Sequence, residues 1–281
     1  MRIDLHTHST ASDGTQPPAG VVGSAAAAGL DVIALTDHDT TSGWDEAAAA
    51  AEQRGVALVR GIEISCQHEG ISIHLLGYLH DPDSPGLLAE LGHARQSRQM
   101  RAQRIVGLLS EDVPLSWDDV LEHIEPGATI GRPHIADAMV AKGIVASREH
   151  AFATYLGEGS PYFASHYAPD PVQAVRLVRQ GGGVAVMAHP FASVRGRVVS
   201  DAVIETMAAA GMAGLEVHHR DHTGEQVRHG LDLSASLDLF VTGSSDYHGE
   251  GKPNLLGENT TDPAVLQRIE ELATGVRVLR G

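Results

Sequence analysis

The architecture of this chain can be read outward from VVGSAAAAGLDVIALTDHD, residues 21–39. An alanine-rich run of helical composition leads into the short apolar segment DVIALT (31–36), which ends in the polar residues DHD. The upstream apolar segment IDL (3–5) ends in a similar way, in HTH. Short apolar segments joined by helical ones are typical of βαβ units, and these units build parallel sheets.

The same alternation continues on both sides of a long central gap. Further strands are predicted at 56–65, 71–79, 183–188, 214–217 and 239–244, and further helices at 44–55, 171–180, 200–210 and 224–236. Between residues 81 and 165 the pattern predicts helices alone, at 87–110, 117–124 and 132–142. We therefore expect an α/β barrel domain formed by 1–80 and 166–281, with 81–165 as an inserted helical subdomain that caps the active site. The terminal VRVL is a candidate edge strand.

Composition limits the classes of function. The chain has 281 residues, 42% of them hydrophobic, and a formal net charge of −16 without a basic stripe, which argues against a protein that binds duplex DNA. The single cysteine, Cys66, rules out an internal disulfide, and we expect it to be a buried structural thiol. The first residues, MRIDLHTHST, have no apolar segment typical of a signal peptide, and no run is long enough to cross a bilayer. These features predict a cytoplasmic protein that does not bind membranes.

Histidine is unusually frequent, with 17 residues against 4% aromatic residues, and several histidines lie at predicted strand ends. His6 and His8 are two positions apart, so in an extended segment both rings point the same way and can bind one ion. Neutral imidazole is a good ligand for Zn, Mn or Fe. Other ligand-type residues at or near predicted strand ends are Asp37, His38, Glu63, His74, His189, Asp246 and His248. Because strand ends share one face of such a fold, these side chains predict a metal centre there.

Six segments carry a resemblance to a known family. HTHS…SDG, TDHD, GIEIS, HLLGY, AHP and SDYHG resemble the motifs of the PHP family, named for polymerase and histidinol phosphatase. GRPHIADAMV, within the predicted insertion, resembles the subgroup that includes ribonuclease AM-like enzymes and nucleotide bisphosphate phosphatases. The resemblance implies a distorted (β/α)7 barrel with three divalent metal ions, and it is the source of the expected strand count.

The resemblance also implies a ligand set. His6, His8, Glu63 and Asp246 would bind the first ion, and Glu63 would bridge to a second ion held by His74 and His189. Asp13, His38 and His248 would bind the third. Some family members have histidine where this chain has Asp13, and an oxygen ligand favours Mn or Fe over an all-Zn centre, so Mn is the favoured of the three metals. Asp37 precedes a ligand and is expected to orient it.

The implied reaction is the hydrolysis of a phosphate ester by a hydroxide held on the ions, with positioning and charge neutralisation as the main catalytic effects. Arg132 and His134, in GRPHIA, are candidate catalytic and phosphate-binding residues, since a guanidinium matches phosphate geometry. His134 is also a candidate proton donor to the leaving group, and His222 is a second one. Arg195 and Arg197 are candidates for binding a second phosphate.

Three functional readings follow. The first is a phosphoesterase acting on a small nucleotide of the 3′,5′-bisphosphate or mononucleotide type, with a 5′-3′ exoribonuclease on short RNA ends or a cyclic phosphodiesterase as the alternative. The second is an amidohydrolase, which usually relies on a carboxylated lysine at a strand end. The only lysines, Lys142 and Lys252, do not end central strands, which disfavours that reading. The third, a non-catalytic metal-binding domain, ranks last because every matched ligand position is filled.

Overall fold

The computed structural model describes residues 1–157 and 159–280. Within these ranges seven strands form a sheet in chain order: β1 (Ile3–Asp4), β2 (Val32–Leu35), β3 (Ala57–His68), β4 (Ile71–Tyr78), β5 (Val184–Met187), β6 (Gly214–His218) and β7 (Phe240–Gly243). The α-helices are α1 (Pro18–Ala27), α2 (Trp44–Arg54), α3 (Pro85–Leu109), α4 (Trp117–Leu121), α5 (Arg132–Ala141), α6 (Arg148–Ala151), α7 (Pro171–Gln180), α8 (Asp201–Ala209), α9 (Gly224–Ser236) and α10 (Pro263–Leu272).

The sheet is parallel except at β4. Strands β1 to β3 are parallel to one another, as are β5 to β7, but β4 runs antiparallel to both β3 and β5. The expectation of a parallel sheet throughout is therefore wrong for this strand. The reason is the two-residue connection Glu69-Gly70, with φ angles of 48° and 76°, because so short a turn can join only antiparallel strands.

The reversal of β4 has a consequence for the site. The first half of β4 lies beside the last half of β3, so His74 pairs with Ser65, two residues beyond Glu63. A parallel bridge between Thr7 and Tyr247, just after β1 and β7, nearly closes the sheet. The expected distorted seven-stranded α/β barrel is thereby confirmed, and the side chains that follow the parallel strands meet at one end of it.

Helices α1 and α2 cover one side of the barrel. Alanines such as Ala25, Ala47 and Ala51 pack with Ile33 and Leu35 of β2 in one buried cluster, and the small side chains allow the helices to approach the sheet closely. Helix α2 ends at Gly55, whose φ of 66° is the left-handed conformation that favours glycine at a helix C-terminus. This packing fixes β2, and with it the TDHD segment at the end of β2.

Helices α3 to α6 contain a hydrophobic cluster of their own. Its buried members lie between Ala102 and Ala164 and include Ile105, Leu109 and Met139. The first turns of α3 belong instead to the barrel, because Leu87 and Leu91 pack in the same cluster as Val178 of α7. The boundaries 81 and 165 of the inserted subdomain stay a prediction. We use "helical segment" below for residues 81–165.

Some elements were not predicted from the sequence. They are α6, the π-helical turn that follows it at Phe152–Leu156, and α10, although Asp262 and Pro263 form a recognisable start for α10, with an aspartate cap and a proline in the first turn. The terminal VRVL forms one antiparallel bridge, between Leu279 and Leu58, rather than a full strand. None of the helices in the described residues combines the length and apolar character needed to span a bilayer.

Candidate metal centre and its cavity

Nine imidazole and carboxylate side chains meet at the end of the barrel where the parallel strands terminate. Three overlapping groups have ligand atoms within 4.8 Å of one another: His6, His8, Glu63 and Asp246; His38, Glu63 and His74; and His8, Asp13, His38 and His248. The first group matches the set implied for the first ion, and the third contains the set implied for the third ion. In the second group His38 takes the place expected for His189, whose Nε2 nonetheless lies 3.3 Å from Oε1 of Glu63.

His6 and His8 follow β1 and point into the same space. Their Nε2 atoms are 3.0 Å apart, and they lie 3.2 Å and 3.0 Å, respectively, from Oε2 of Glu63. Both side chains are fully buried. Thr7, between them, pairs with Tyr247 on the opposite side of the barrel seam, which keeps the segment extended and both rings on one side.

Glu63 is the centre of the arrangement. Its Oε1 lies 2.8 Å from Nδ1 of His74, and its Oε2 lies 3.2 Å from Nδ1 of His38. Burial alone would raise the pKa of Glu63, but the neighbouring imidazoles outweigh burial and hold this pKa well below its usual range. The carboxylate is therefore charged and faces several nitrogen donors, which is how a carboxylate that bridges two cations would be placed.

The residues at the centre fit a set of divalent ions. Among the described residues, five buried atoms of the centre that could bind a metal make no hydrogen bond: Asp13 Oδ1, His38 Nδ1, Glu63 Oε2, His74 Nδ1 and His248 Nε2. Buried polar atoms without a partner are costly, and here they converge on common points. Imidazole nitrogen and carboxylate oxygen are also the donors that Mn, Fe and Zn accept.

Glu216, on β6, supports the centre from behind and was not predicted from the sequence. Its Oε1 lies 3.0 Å from Nδ1 of His6, and its Oε2 accepts a hydrogen bond of 2.9 Å from the backbone N–H of His189. A carboxylate at Nδ1 of His6 leaves Nε2 free for an ion, which is a frequent arrangement behind metal-binding histidines. The sequence feature that could have pointed to Glu216 is a glutamate inside the apolar strand GLEV, because a fully buried acid needs a partner.

Asp37 holds the loop that follows His8, and that it also orients a ligand ring stays a prediction. Its carboxylate accepts hydrogen bonds from the backbone N–H and hydroxyl of Ser9, both 2.7 Å, and from the hydroxyl of Ser12 at 2.6 Å. These contacts order the chain just after His8. The sequence-based expectation was that Asp37 orients a ligand next to it, and the contacts show it acting on the loop after β1.

Asp246 is surrounded by cations. Arg195 Nη2 lies 2.7 Å and Lys252 Nζ lies 3.0 Å from its Oδ2. Burial would raise the pKa of Asp246, but Lys252, Arg195 and nearby imidazoles hold it well below its usual range. His219 was not predicted as a site residue, yet it is buried with Nε2 3.7 Å from the same oxygen. The sequence feature that could have pointed to His219 is the HHRDH run at the end of β6.

The two predicted proton donors lie away from the cluster. His134 accepts a hydrogen bond from the backbone N–H of Gly131 at Nδ1, and its Nε2 lies 2.7 Å from the carbonyl oxygen of Ser12. His222 is held in the same manner, with Nδ1 2.9 Å from the carbonyl oxygen of Val217 and Nε2 accepting from the N–H of Phe191. Both rings use both nitrogens on backbone groups, so their roles in proton transfer stay predictions that this geometry does not favour.

A cavity of about 950 Å³ opens over the centre. Its lining includes Asp13, His38, His74 and His189, and seven basic residues: Arg98, Arg101, Arg132, Arg195, Arg197, Arg220 and Lys252. Thus 7 of the 20 lysines and arginines of an acidic chain face one cavity. Arg195 forms ion pairs with Asp221 and Asp246, and Arg197 donates a hydrogen bond to the carbonyl oxygen of Gly70.

Three of these arginines belong to the helical segment and line the cavity together with His166. Burial, followed by three guanidinium charges, lowers the pKa of His166 to about 3. Those charges are Arg101, Arg98 and Arg132. Arg132 also donates a hydrogen bond to the carbonyl oxygen of Leu156 and stacks its guanidinium 5.3 Å from the ring centre of Phe152. The cavity therefore has a cationic wall formed by the helical segment, facing the metal-binding wall formed by the strand ends.

The barrel with a histidine- and carboxylate-rich centre at its strand ends defines a metal-dependent phosphoesterase, and the chain belongs to the PHP family. A model of the PHP domain matches residues 4–143. The chain is 35% identical over 252 residues to the 3′,5′-nucleoside bisphosphate phosphatase of Chromobacterium violaceum, a match that covers 89% of this chain and 88% of that protein. It is 34% identical over 249 residues to a 5′-3′ exoribonuclease of Haemophilus influenzae, covering 88% and 90%.

Two solved structures share the fold over nearly the whole chain. A Bifidobacterium adolescentis protein described as a metal-dependent phosphoesterase superposes with a TM-score of 0.95 at 42% identity, covering 97% of this chain and 96% of that one. A Chromobacterium violaceum structure described as an amidohydrolase with bound sulfate superposes with a TM-score of 0.87 at 32% identity, covering 100% and 98%. The predicted family, the barrel and the hydrolase class are thereby confirmed.

Proposed function

We propose that this protein hydrolyses a phosphate ester of a small nucleotide, with a 3′,5′-bisphosphate as the preferred substrate class. The observation that carries the proposal is the pairing of two walls in one cavity: imidazoles and carboxylates on the strand side, and arginines on the helical side. The named relative from C. violaceum acts on such bisphosphates, which supports the same substrate class.

Three divalent ions, with Mn favoured, would be held by His6, His8, Asp13, His38, Glu63, His74, His189, Asp246 and His248. When bound, the ions supply the nucleophilic oxygen and neutralise charge on the phosphoryl group. The chain's own residues do the rest of the work. Glu63 places a negative charge among the imidazoles, and Glu216 fixes the orientation of His6 through the 3.0 Å contact at Nδ1.

Basic residues on both sides of the cavity would bind the phosphate groups of the substrate. Arg195 and Lys252 lie beside Asp246, where they would take up the charge that develops on the reacting phosphate. On the other side of the cavity, Arg101 and Arg132 would bind the second phosphate, since a guanidinium can form two parallel hydrogen bonds to it. Arg197 and Arg220 lie in the cavity lining and add to its positive potential.

The exoribonuclease is the second candidate, and the H. influenzae relative is the observation that favours it. A cyclic phosphodiesterase is supported in the same way by a relative from Eggerthella lenta that is 30% identical over 254 residues. The amidohydrolase reading finds no support in the centre. Lys142 pairs with Asp119 on the helical segment, and Lys252 pairs with Asp246 rather than bridging the ligands.

The test is a comparison of substrates on Mn-loaded protein. The panel holds a nucleoside 3′,5′-bisphosphate, the matching 3′- and 5′-monophosphates, a 5′-phosphorylated RNA trinucleotide and a cyclic phosphodiester. We expect kcat/KM for the bisphosphate to exceed that for either monophosphate by about tenfold or more, since each good charge-assisted contact contributes about 1.5–3 kcal/mol. Equal values for bisphosphate and monophosphates would contradict a second phosphate site, and a preference for the trinucleotide would favour the exoribonuclease.

A further inference from the structure

We propose that His134 and Arg148 are positioning residues: they hold the loop of residues 11–13 and thereby place the Asp13 carboxylate in the metal centre. The proposal rests on the metal-dependent function given above. It assigns to the helical segment a role in building the centre, in addition to forming a wall of the cavity. It also gives the histidine of the GRPHIA motif a role different from proton transfer.

Asp13 differs from the other donors in how it is placed. His8 and His248 adjoin paired backbone at the barrel seam, and His38 itself forms a bridge with Glu63. Asp13 lies on a loop five positions after His8, outside any strand. Its Oδ1 is 3.3 Å from Nε2 of His248 and 3.7 Å from Nδ1 of His8. The position of this carboxylate therefore depends on what holds the loop.

Three successive carbonyl groups of that loop accept hydrogen bonds from the helical segment. The backbone N–H of Thr129 donates to Ala11 at 3.0 Å, and Nε2 of His134 donates to Ser12 at 2.7 Å. Nη1 of Arg148 donates to the carbonyl of Asp13 itself at 3.2 Å. Because consecutive peptide groups are held at each step, the loop has little freedom to turn the Asp13 side chain away from the centre.

Both side-chain donors are themselves fixed. The N–H of Gly131 donates to Nδ1 of His134, so the proton of the neutral ring resides on Nε2, where Ser12 accepts it. Arg148 forms a two-bond pair with Asp137, through Nε to Oδ1 and through Nη2 to Oδ2. The guanidinium reaches Asp13 past Gly251, where a side chain would collide with it. Because each donor side chain is itself held in place, its hydrogen bond fixes the position of the loop.

The loop is also close-packed on its inner side. A Cβ atom added at Gly14 would lie 2.5 Å from the carbonyl oxygen of His8, so the chain after Asp13 has no room to move inward. Ser12 donates to Asp37, which ties the loop to the end of β2. The loop thus lies between the barrel and the helical segment. Removing the outer contacts leaves outward movement as the available relaxation, which carries Asp13 away from His248.

The experiment measures Mn²⁺ binding to the chelator-treated protein by equilibrium titration, with free Mn²⁺ followed by electron paramagnetic resonance. We expect His134→Ala and Arg148→Met to lower the affinity for the most weakly bound Mn²⁺ ion by about tenfold or more. Residues behind metal ligands typically contribute about 10- to 100-fold to metal affinity. His134→Gln keeps an N–H donor near the position of Nε2 and should restore much of the affinity. His150→Ala, an exposed histidine on α6, is the matched control and should bind as the wild type does.

A double-mutant cycle separates positioning from general loosening of the fold. Asp13→Asn should lower the affinity for the same ion, and adding His134→Ala to Asp13→Asn should produce no further loss of affinity. A further loss of the same size in the double variant would overturn the proposal, as would wild-type Mn²⁺ affinity in both His134→Ala and Arg148→Met. The melting temperature of each metal-free variant shows whether it folds, and His134→Gln and Arg148→Met carry the test if His134→Ala does not. A wild-type protein that binds no Mn²⁺ would instead reject the metal-dependent function itself.

Discussion

The strand side and the helical side of the cavity are built in contrasting ways. On the strand side, compact side chains such as Glu63, His38 and His248 are almost fully buried, and one polar atom of each makes no hydrogen bond among the described residues. On the helical side, long and partly exposed side chains such as Arg101 and Arg132 rest on backbone carbonyls and aromatic rings. The first arrangement suits ions, which need several donors at fixed short distances. The second suits a phosphate, which a flexible cation can follow during the reaction.

This contrast indicates which side chains could change the substrate specificity without loss of the metal centre. Strand-end donors depend on one another, because each lies within about hydrogen-bond distance of Glu63, Asp246 or Asp13. Arg101 and Arg132 lie on separate helices, α3 and α5, so either can be altered without removing a strand-end donor. Relatives of similar identity are named for bisphosphates, RNA and cyclic phosphates, as expected if one centre is combined with different walls.

The largest expected effect breaks the strand side. Asp246→Asn keeps the volume of the side chain but removes the negative charge that faces His6 and His8 at 3.4 Å. We expect turnover to fall by about a thousandfold or more, the order of loss seen when an essential catalytic group is removed. Phosphate release and bound Mn²⁺ per chain are the measurements, with circular dichroism to verify folding. A variant that retains full turnover would contradict the assignment of the centre.

The next effect tests the helical side. Arg132→Ala removes a guanidinium from the cavity wall and should lower kcat/KM for the bisphosphate by about ten- to a hundredfold, the value of one charged hydrogen bond at about 1.5–3 kcal/mol. The loss for a monophosphate should be smaller, and bound Mn²⁺ should stay at the wild-type amount. Arg104→Ala, an exposed arginine on α3 outside the cavity lining, is the matched control. Equal losses for both substrates would show that Arg132 does not contact a second phosphate.

The third prediction tests stability at the other end of the barrel, where His80 follows β4. Burial lowers the pKa of His80 from 6.5 to about 4; Arg60 adds to the effect, and Asp81 opposes it but is outweighed by burial. The folded form therefore disfavours the proton that the unfolded chain accepts. The resulting stability is complete above pH 6.5 and is lost as the pH falls towards 4, by about 3 kcal/mol at about 1.4 kcal/mol per pH unit.

His80→Leu should remove that part of the pH dependence. The measurement is the free energy of unfolding in urea at pH 7 and pH 5, compared between wild type and variant. His123→Leu, at an exposed position in the helical segment, should leave the wild-type slope intact. If His80→Leu and the wild type lose stability equally between pH 7 and pH 5, His80 is not buried in its neutral form.

Much of the barrel was predictable because its signals are local. Helices such as α7 and α9 begin and end where the periodicity predicts, at 171–180 and 224–236. The reversal of β4 was not predicted, because both directions give the same apolar pattern and the two-residue turn that decides between them was not weighed. In the centre, His6 and His8 were found from their spacing, whereas Glu216 was missed because it lies inside an apolar strand and not at its end.

The sequence by itself determined the kind of donors and their order along the chain, since strand ends carry imidazoles and carboxylates that few other functions require. Only the tertiary structure decided which donors lie within reach of one another, grouping His38 rather than His189 with Glu63 and His74. It also decided that His134 binds the Ser12 carbonyl and that three arginines of the helical segment line one cavity with His166. The physical reason is that these contacts join residues far apart in the chain, and their distances depend on how the barrel and the helical segment pack, which no local pattern encodes.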